Sequence, residues 1–196
     1  GGNYNVVVGD EAGTAITTGD GNVAVGFEAL KTEDANGEST AIGYQALKTQ
    51  NAGISGLNVA VGYKAGAAVT TGTINTLIGA LAGDALTTGN SNVAVGHTAL
   101  SADTLGDRNV AIGNNALAQQ NFTSSTDSYN VAIGYVAGGS VTTGIVNTLI
   151  GGLAGDAITT GDNNTAVGYQ SLSATTTASQ NTAVGLNSLK DKVKGG

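Results

Sequence analysis

A five-residue motif, Asn-x-(Ala/Leu/Val)-(Val/Ile)-Gly, recurs along this chain at a nearly constant interval, and that period dictates what the chain can fold into. It closes on Gly9, Gly26, Gly43, Gly62, Gly79, Gly96, Gly113, Gly134, Gly151, Gly168 and Gly185. The successive spacings are 17, 17, 19, 17, 17, 17, 21, 17, 17 and 17. The two longer intervals fall around Gln50–Leu57 and Gln120–Tyr129. A strict period with insertions confined to one part of the unit is what coils stacked on one another produce. The expectation is one repeat domain over 1–196, with coils starting near residues 5, 22, 39, 58, 75, 92, 109, 130, 147, 164 and 181.

Each unit is numbered here from the asparagine as position 1. Position 4 is Val or Ile in every copy, and position 8 is small, as in Ala12, Ala29 and Ala46, with Ser171 and Ser188 late in the chain. A short β-branched run bounded by glycine reads as a strand. Glycine recurs too often for a helix, and no 3.6-residue period is present. The absence of proline suits a backbone whose N–H groups are nearly all in ladders. The fold class is therefore all-β, a parallel β-solenoid of the β-roll kind with eleven coils of ~17 residues.

Two coil types alternate. Position 9 is leucine at Leu30, Leu47, Leu100, Leu117, Leu172 and Leu189, and glycine at Gly13, Gly66, Gly83, Gly138 and Gly155. The glycine coils place a large apolar residue at position 12 instead: Ile16, Val69, Leu86, Val141 and Ile158. In the leucine coils position 12 is polar: Glu33, Gln50, Asp103, Gln120, Thr175 and Lys192. This predicts one core slot per coil, filled from either of two backbone positions, with a buried aliphatic contributing roughly 1.5–3 kcal/mol. The glycine coils also share a Thr-Thr-Gly turn, whose glycine is expected to supply a positive φ. The types run glycine, leucine, leucine, glycine, so four coils make a superunit.

The asparagine column comprises Asn5, Asn22, Asn58, Asn75, Asn92, Asn109, Asn130, Asn147, Asn164 and Asn181, interrupted by Ser39. A structural role is expected for it, with side-chain amides bonding along the solenoid axis. Positions 2 to 4 carry no charge in any copy, so the strand is apolar on both faces. One face can pack inside its own coil, and the other leaves an uncharged stripe of ~500 Å², estimated from the spacing of strands and sheets. That is large for a monomer, and association of parallel copies, as a homotrimer, is the expected solution.

The motifs Asn22-Val-Ala-Val-Gly26, Ser39-Thr-Ala-Ile-Gly43 and Asn164-Thr-Ala-Val-Gly168 resemble the head repeats of trimeric autotransporter adhesins. Longer copies such as Asn164-Thr-Ala-Val-Gly-Tyr-Gln-Ser-Leu172 are equally similar to repeats of phage-type tail fibres, whose period the 17-residue spacing fits better. The resemblance spans Asn5 to Leu189. It implies left-handed β-rolls in a trimer, a structural or adhesive segment of an extracellular fibre, and a cell-surface glycan or protein as receptor. The bacteriophage tail-fibre receptor-binding shaft is the alternative.

Composition narrows the chemistry. A net charge of −7 argues against nucleic acid and anionic membranes as partners. No run approaches the ~20 apolar residues of a membrane span. There is no cysteine and one histidine, His97, so no zinc site and no cofactor is expected. Asp20-Gly-Asn22 and Asp162-Asn-Asn164 resemble calcium-ligand turns, but the calcium β-roll repeat is absent. No signal-peptide pattern opens the chain, which reads as a segment of a longer or processed protein. The adjacent pair Glu33 and Asp34 is expected to be a solvated turn rather than an acid–base pair. The candidate surface-contact residues are Phe27, Tyr44, Tyr63, His97, Tyr135 and Tyr169, all at position 6, whose rings could stack on sugars or anchor a protein; the favoured alternative is that they pack over neighbouring coils or at a subunit seam. Two further functions are weighed: an ice-binding solenoid, which needs a regular threonine ladder, and a glycan-cleaving tailspike, which needs clustered carboxylates.

Overall fold

The computed structural model describes residues 2–35 and 37–191. Its strands are β1 Val6–Val8, β2 Val23–Val25, β3 Thr40–Ile42, β4 Val59–Val61, β5 Thr76–Ile78, β6 Val93–Val95, β7 Gly106–Asp107, β8 Val110–Ile112, β9 Thr126–Asp127, β10 Val131–Ile133, β11 Thr148–Ile150, β12 Thr165–Val167 and β13 Thr182–Val184. Eleven of them form one parallel sheet in chain order, and β7 pairs with β9 beside it. The register is uniform: the middle residues Ala24, Ala41 and Ala60 pair in line, as do Leu77, Ala94 and Ala111. No helix occurs among the described residues. The fold is the expected parallel β-solenoid with coils about 17 residues apart.

Hydrogen bonds between coils continue outside the sheet. Leu30 N–H donates to Ala46 O at 3.0 Å and Leu100 N–H to Ala116 O at 2.9 Å, both in the arc that follows the strand. That arc demands an unusual backbone. Positions 7, 9 and 17 have positive φ in coil after coil, as at Lys64 (54°), Leu100 (54°) and Ile74 (61°). The motif glycine lies near 130°, as at Gly96 (136°). This glycine is required twice over: beyond its φ, a Cβ on Gly96 would sit 2.5 Å from the Gly113 carbonyl oxygen one coil on.

The Thr-Thr-Gly glycines differ from expectation. Gly72, Gly89, Gly144 and Gly161 are not in the left-handed region. They are glycine because a Cβ would meet the backbone of the next coil, 2.5 Å from Gly89 O in the case of Gly72 and 2.3 Å from Ala178 O in the case of Gly161. Close approach of coils, rather than turn geometry, fixes these residues.

The interior is filled by Ala at positions 3 and 8 and by the two alternating slots. Leu30, Leu47, Leu100, Leu117 and Leu172 are fully buried, and so are Val69, Leu86, Val141 and Ile158. In two glycine coils position 3 helps as well: Leu77 Cδ1 lies 2.6 Å from where a Gly66 Cβ would stand, and Leu149 Cδ1 2.7 Å from that of Gly138. Position 12 of the leucine coils is also interior. Glu33, Gln50, Asp103, Gln120 and Thr175 are buried, while Lys192 lies outside the described residues. So there are two inward slots per coil, and the leucine coils place a polar group in the second.

From Asn22 onward the asparagine column is buried, and it carries a continuous ladder. Asn75 Oδ1 accepts the backbone N–H of Asn92 at 3.0 Å and its Nδ2–H at 3.2 Å, and Asn92 Oδ1 does the same for Asn109 at 2.9 and 3.1 Å. In most coils Nδ2 also closes its own coil, as Asn92 does on Gly106 O at 2.9 Å, whereas Asn109 and Asn181 donate to Asp107 O and Ser179 O just upstream. Buried backbone groups at this corner thus find partners that the ladder repeats every coil.

Candidate functional site

The outward face of the sheet is the first candidate surface. Position 3 points in, so positions 2 and 4 point out, because side chains alternate along a strand. The inward residues Ala24, Ala94 and Leu149 are fully buried, whereas Ile42, Ile78 and Ile133 are about two-fifths exposed. The outer face is therefore two parallel ladders, Val or Thr at position 2 and Val or Ile at position 4, straight and uncharged through all eleven rungs.

The six position-6 residues named above all lie on the surface, in one column. Phe27, Tyr44 and Tyr63 form a continuous stack, with ring centroids 5.3 and 5.4 Å apart and planes inclined by 20° and 12°. The Lys64 ammonium lies 5.4 Å from the Tyr63 ring centre. These rings turn their faces to one another and present edges to solvent, so they are poorly placed to stack on sugars. His97 has Thr98 Oγ1 and Asn114 Nδ2 each 3.4 Å from its Nδ1. Tyr135 and Tyr169 stand apart, with Gly152 between them in the column.

A charged cluster adjoins the first stack. Glu28 receives Lys31 and Lys48, each at 2.6 Å, and Gln45 Nε2–H at 2.6 Å; Lys31 also pairs with Glu11. The Lys31 and Lys48 ammonium groups, with Gln45, hold the Glu28 carboxyl down at about 2. Glu11 and Glu28 raise Lys31 in turn. These residues were not singled out by the motif, because the cluster joins positions 7 and 10 of successive coils.

The expectation for Glu33 is overturned. Asp34 is exposed, but Glu33 is buried and accepts from Gln50 Nε2–H at 2.9 Å. Its equivalent four coils on, Asp103, accepts from Gln120 Nε2–H at 2.6 Å and from Gly106 N–H at 3.0 Å, and burial pushes its carboxyl up. The glutamines reach on to the asparagine column: Gln50 Oε1 accepts from Asn58 Nδ2–H at 2.9 Å, and Gln120 Oε1 from Asn130 Nδ2–H at 2.8 Å. Both polar pairs sit inside the coils beside the two insertions, so they brace the longer coils.

The two calcium-like turns use their carboxylates for coil-to-coil contacts. Asp20 Oδ1 accepts Asn3 N–H at 2.5 Å, and Asp162 Oδ1 accepts Ile145 N–H at 2.8 Å. Among the described residues no three His, Cys, Asp or Glu side chains converge as a metal site. A polar depression of about 250 Å³ is lined by Thr18, Asp20, Ala35, Gly37, Glu38 and Ser55, beside the first insertion. At the second insertion Arg108 pairs with Asp127 and lies 5.8 Å from the Tyr129 ring centre. Asp84 and Asp156, at position 10 of equivalent coils, each keep one buried carboxylate oxygen without a hydrogen-bond partner, and burial raises both carboxyls.

These features define a parallel β-solenoid repeat protein with an uncharged outer sheet. No family model matches the chain, and neither does any curated protein or solved structure.

Proposed function

We propose that this chain is a non-catalytic rod, a structural and adhesive segment of an extracellular fibre, whose copies associate side by side along the outer face of the sheet as a trimer. The observation that carries this reading is the pair of uncharged β-branched ladders at positions 2 and 4. A solvent-facing sheet in a lone rod ordinarily alternates apolar and polar faces, and a long uncharged edge-to-edge surface marks an interaction site. The resemblance of the motif to adhesin-head and tail-fibre repeats points the same way, and both contexts place the rod outside the cell or on a virion. The receptor in this reading is a surface glycan or protein.

Sedimentation equilibrium tests it. A mass of three chains is expected, and Val61→Lys with Ile112→Lys should give a folded monomer. A wild-type monomer at micromolar concentration would sink the proposal. Threonine occupies position 2 only at Thr40, Thr76, Thr148, Thr165 and Thr182, five of eleven rungs, so the regular ladder that an ice-binding solenoid needs is broken. An ice-binding surface would show as thermal hysteresis of the monomer.

A further inference from the structure

We infer that coils eight to ten carry a binding slot for one flat aromatic ring, between Tyr135 and Tyr169 and above Gly152. The template is the same column in coils two to four. There three consecutive rings occupy three rungs, Phe27 and Tyr63 flanking Tyr44 at centroid distances of 5.3 and 5.4 Å. In coils eight to ten the flanking rings are present and the middle one is replaced by Gly152. Two rungs of a parallel sheet span ~9.6 Å, which leaves room for one ring in face-to-face contact with both neighbours. Tyr135 is more open than any stacked ring, at 61% against 43% for Tyr44 and 49% for Tyr63, and Tyr169, at 51%, matches the end ring of the stack.

Gly152 is not a glycine that the backbone requires. Its φ lies outside the left-handed region, and a Cβ there would come no closer than 3.4 Å to anything, the nearest atom being Cδ2 of Tyr169. The motif glycines and Gly72, Gly89, Gly144 and Gly161 are held by φ or by overlaps under 3.0 Å. What glycine does at 152 is put no side chain against the Tyr169 ring, whose Cδ2 and Cε2 edge lies 3.4 and 3.7 Å from the Cβ position.

The flanking columns decide the class of ring. On one side lie Ile133, Ile150 and Val167, and on the other Val136, Leu153 and Gln170, with no charge among them. The filled stack is flanked instead by Glu28, Gln45 and Lys64. A sugar ring needs several hydrogen-bond partners, which this neighbourhood lacks, whereas an indole or phenol side chain of a partner protein needs apolar faces and one or two acceptors.

The probe is N-acetyl-tryptophanamide, titrated into the full chain with its tyrosine rings labelled for NMR. The chain contains no tryptophan, so indole emission reports the probe alone. The expected result is saturable upfield movement of Tyr135 and Tyr169, with Tyr44 and Tyr63 unmoved. Gly152→Tyr completes the three-ring stack and should weaken binding at least tenfold while the rod stays folded. If that variant fails to fold, Tyr169→Leu removes one face and should give the same loss. Unmoved Tyr135 and Tyr169 resonances, equal movement at Tyr44 and Tyr63, or full binding by a folded Gly152→Tyr chain would each overturn the slot. Methyl β-glucopyranoside moving these resonances where the indole does not would overturn its assignment to aromatic rings. The mass of the same sample separates this site from the associating rod, since a monomer that binds the probe leaves the slot standing.

Discussion

The side-chain carbonyl of Gln50 accepts a hydrogen bond from the Asn58 amide at 2.9 Å, inside the coil and across the segment that makes it longer than its neighbours. The same glutamine donates to Glu33 and to Ser39 Oγ, each at 2.9 Å. Position 12 is interior, and the glycine coils fill it with an apolar residue. Gln50→Leu would instead leave the Asn58 amide and a Glu33 oxygen without these partners. Leaving a buried polar group unsatisfied costs about 1–3 kcal/mol, and more where a charge is involved. A loss of at least ~2 kcal/mol is expected from Gln50→Leu, and likewise from Gln120→Leu, by denaturant titration. An unchanged midpoint would show that the network contributes nothing.

The glycine ladder gives an internal comparison. At Gly96 an alanine suffers both the positive φ and the overlap with Gly113 O, whereas at Gly185, with a φ of 117°, no atom of the described residues lies within 4 Å of the new Cβ. Gly96→Ala should therefore destabilise more than Gly185→Ala by at least ~2 kcal/mol, the usual scale of overpacking. Equal melting temperatures for the two variants would contradict coil-to-coil contact as the reason for the ladder.

Ile74 sits at position 17 with φ 61° and is half exposed, so it carries the strain of a β-branched residue in the left-handed region with little burial in return. Asn163 occupies the equivalent place with φ 58°. Asparagine tolerates this conformation far better. Ile74→Asn is expected to raise stability by up to ~1 kcal/mol, a rise of ~2–4 °C in Tm for a chain this size.

Acid should not simply unfold this rod. Glu28 is held down at about 2, so the stability it contributes is fully present above the ordinary carboxylate range and is lost progressively as pH falls from that range through about 2. Asp84, Asp103 and Asp156 are raised by burial, so their contributions run the other way. They are fully present below the unfolded value near ~4 and are lost as pH rises through the folded one. Thermal melts should show higher stability near pH 4 than near pH 8. Asp84→Ala with Asp156→Ala should reduce that difference and raise Tm at neutral pH, since Ala67 and Ala118 already occupy position 10 elsewhere. A flat wild-type profile would contradict the assignment.

The period, the strand positions, the motif glycines, the alternation of Leu30 with residues such as Val69, and the column of position-6 rings were all legible in the sequence. Each is a local choice repeated at a fixed interval, and repetition converts a weak local signal into a strong one. Other features depend on what lies one coil away, about 17 residues distant in sequence and ~4.8 Å in space. Only the folded coil showed that Glu33 and Asp103 turn inward to meet glutamines, that the Thr-Thr-Gly glycines are set by a neighbouring carbonyl, and that Phe27, Tyr44 and Tyr63 spend their faces on one another. The sequence by itself determined a stacked β-coil with an uncharged strand. The tertiary structure decided that position 3, Ala in most coils and Val7, Leu77 or Leu149 in the others, faces the core while positions 2 and 4 face out, because side chains alternate along a strand and the uniform register carries that choice through every coil.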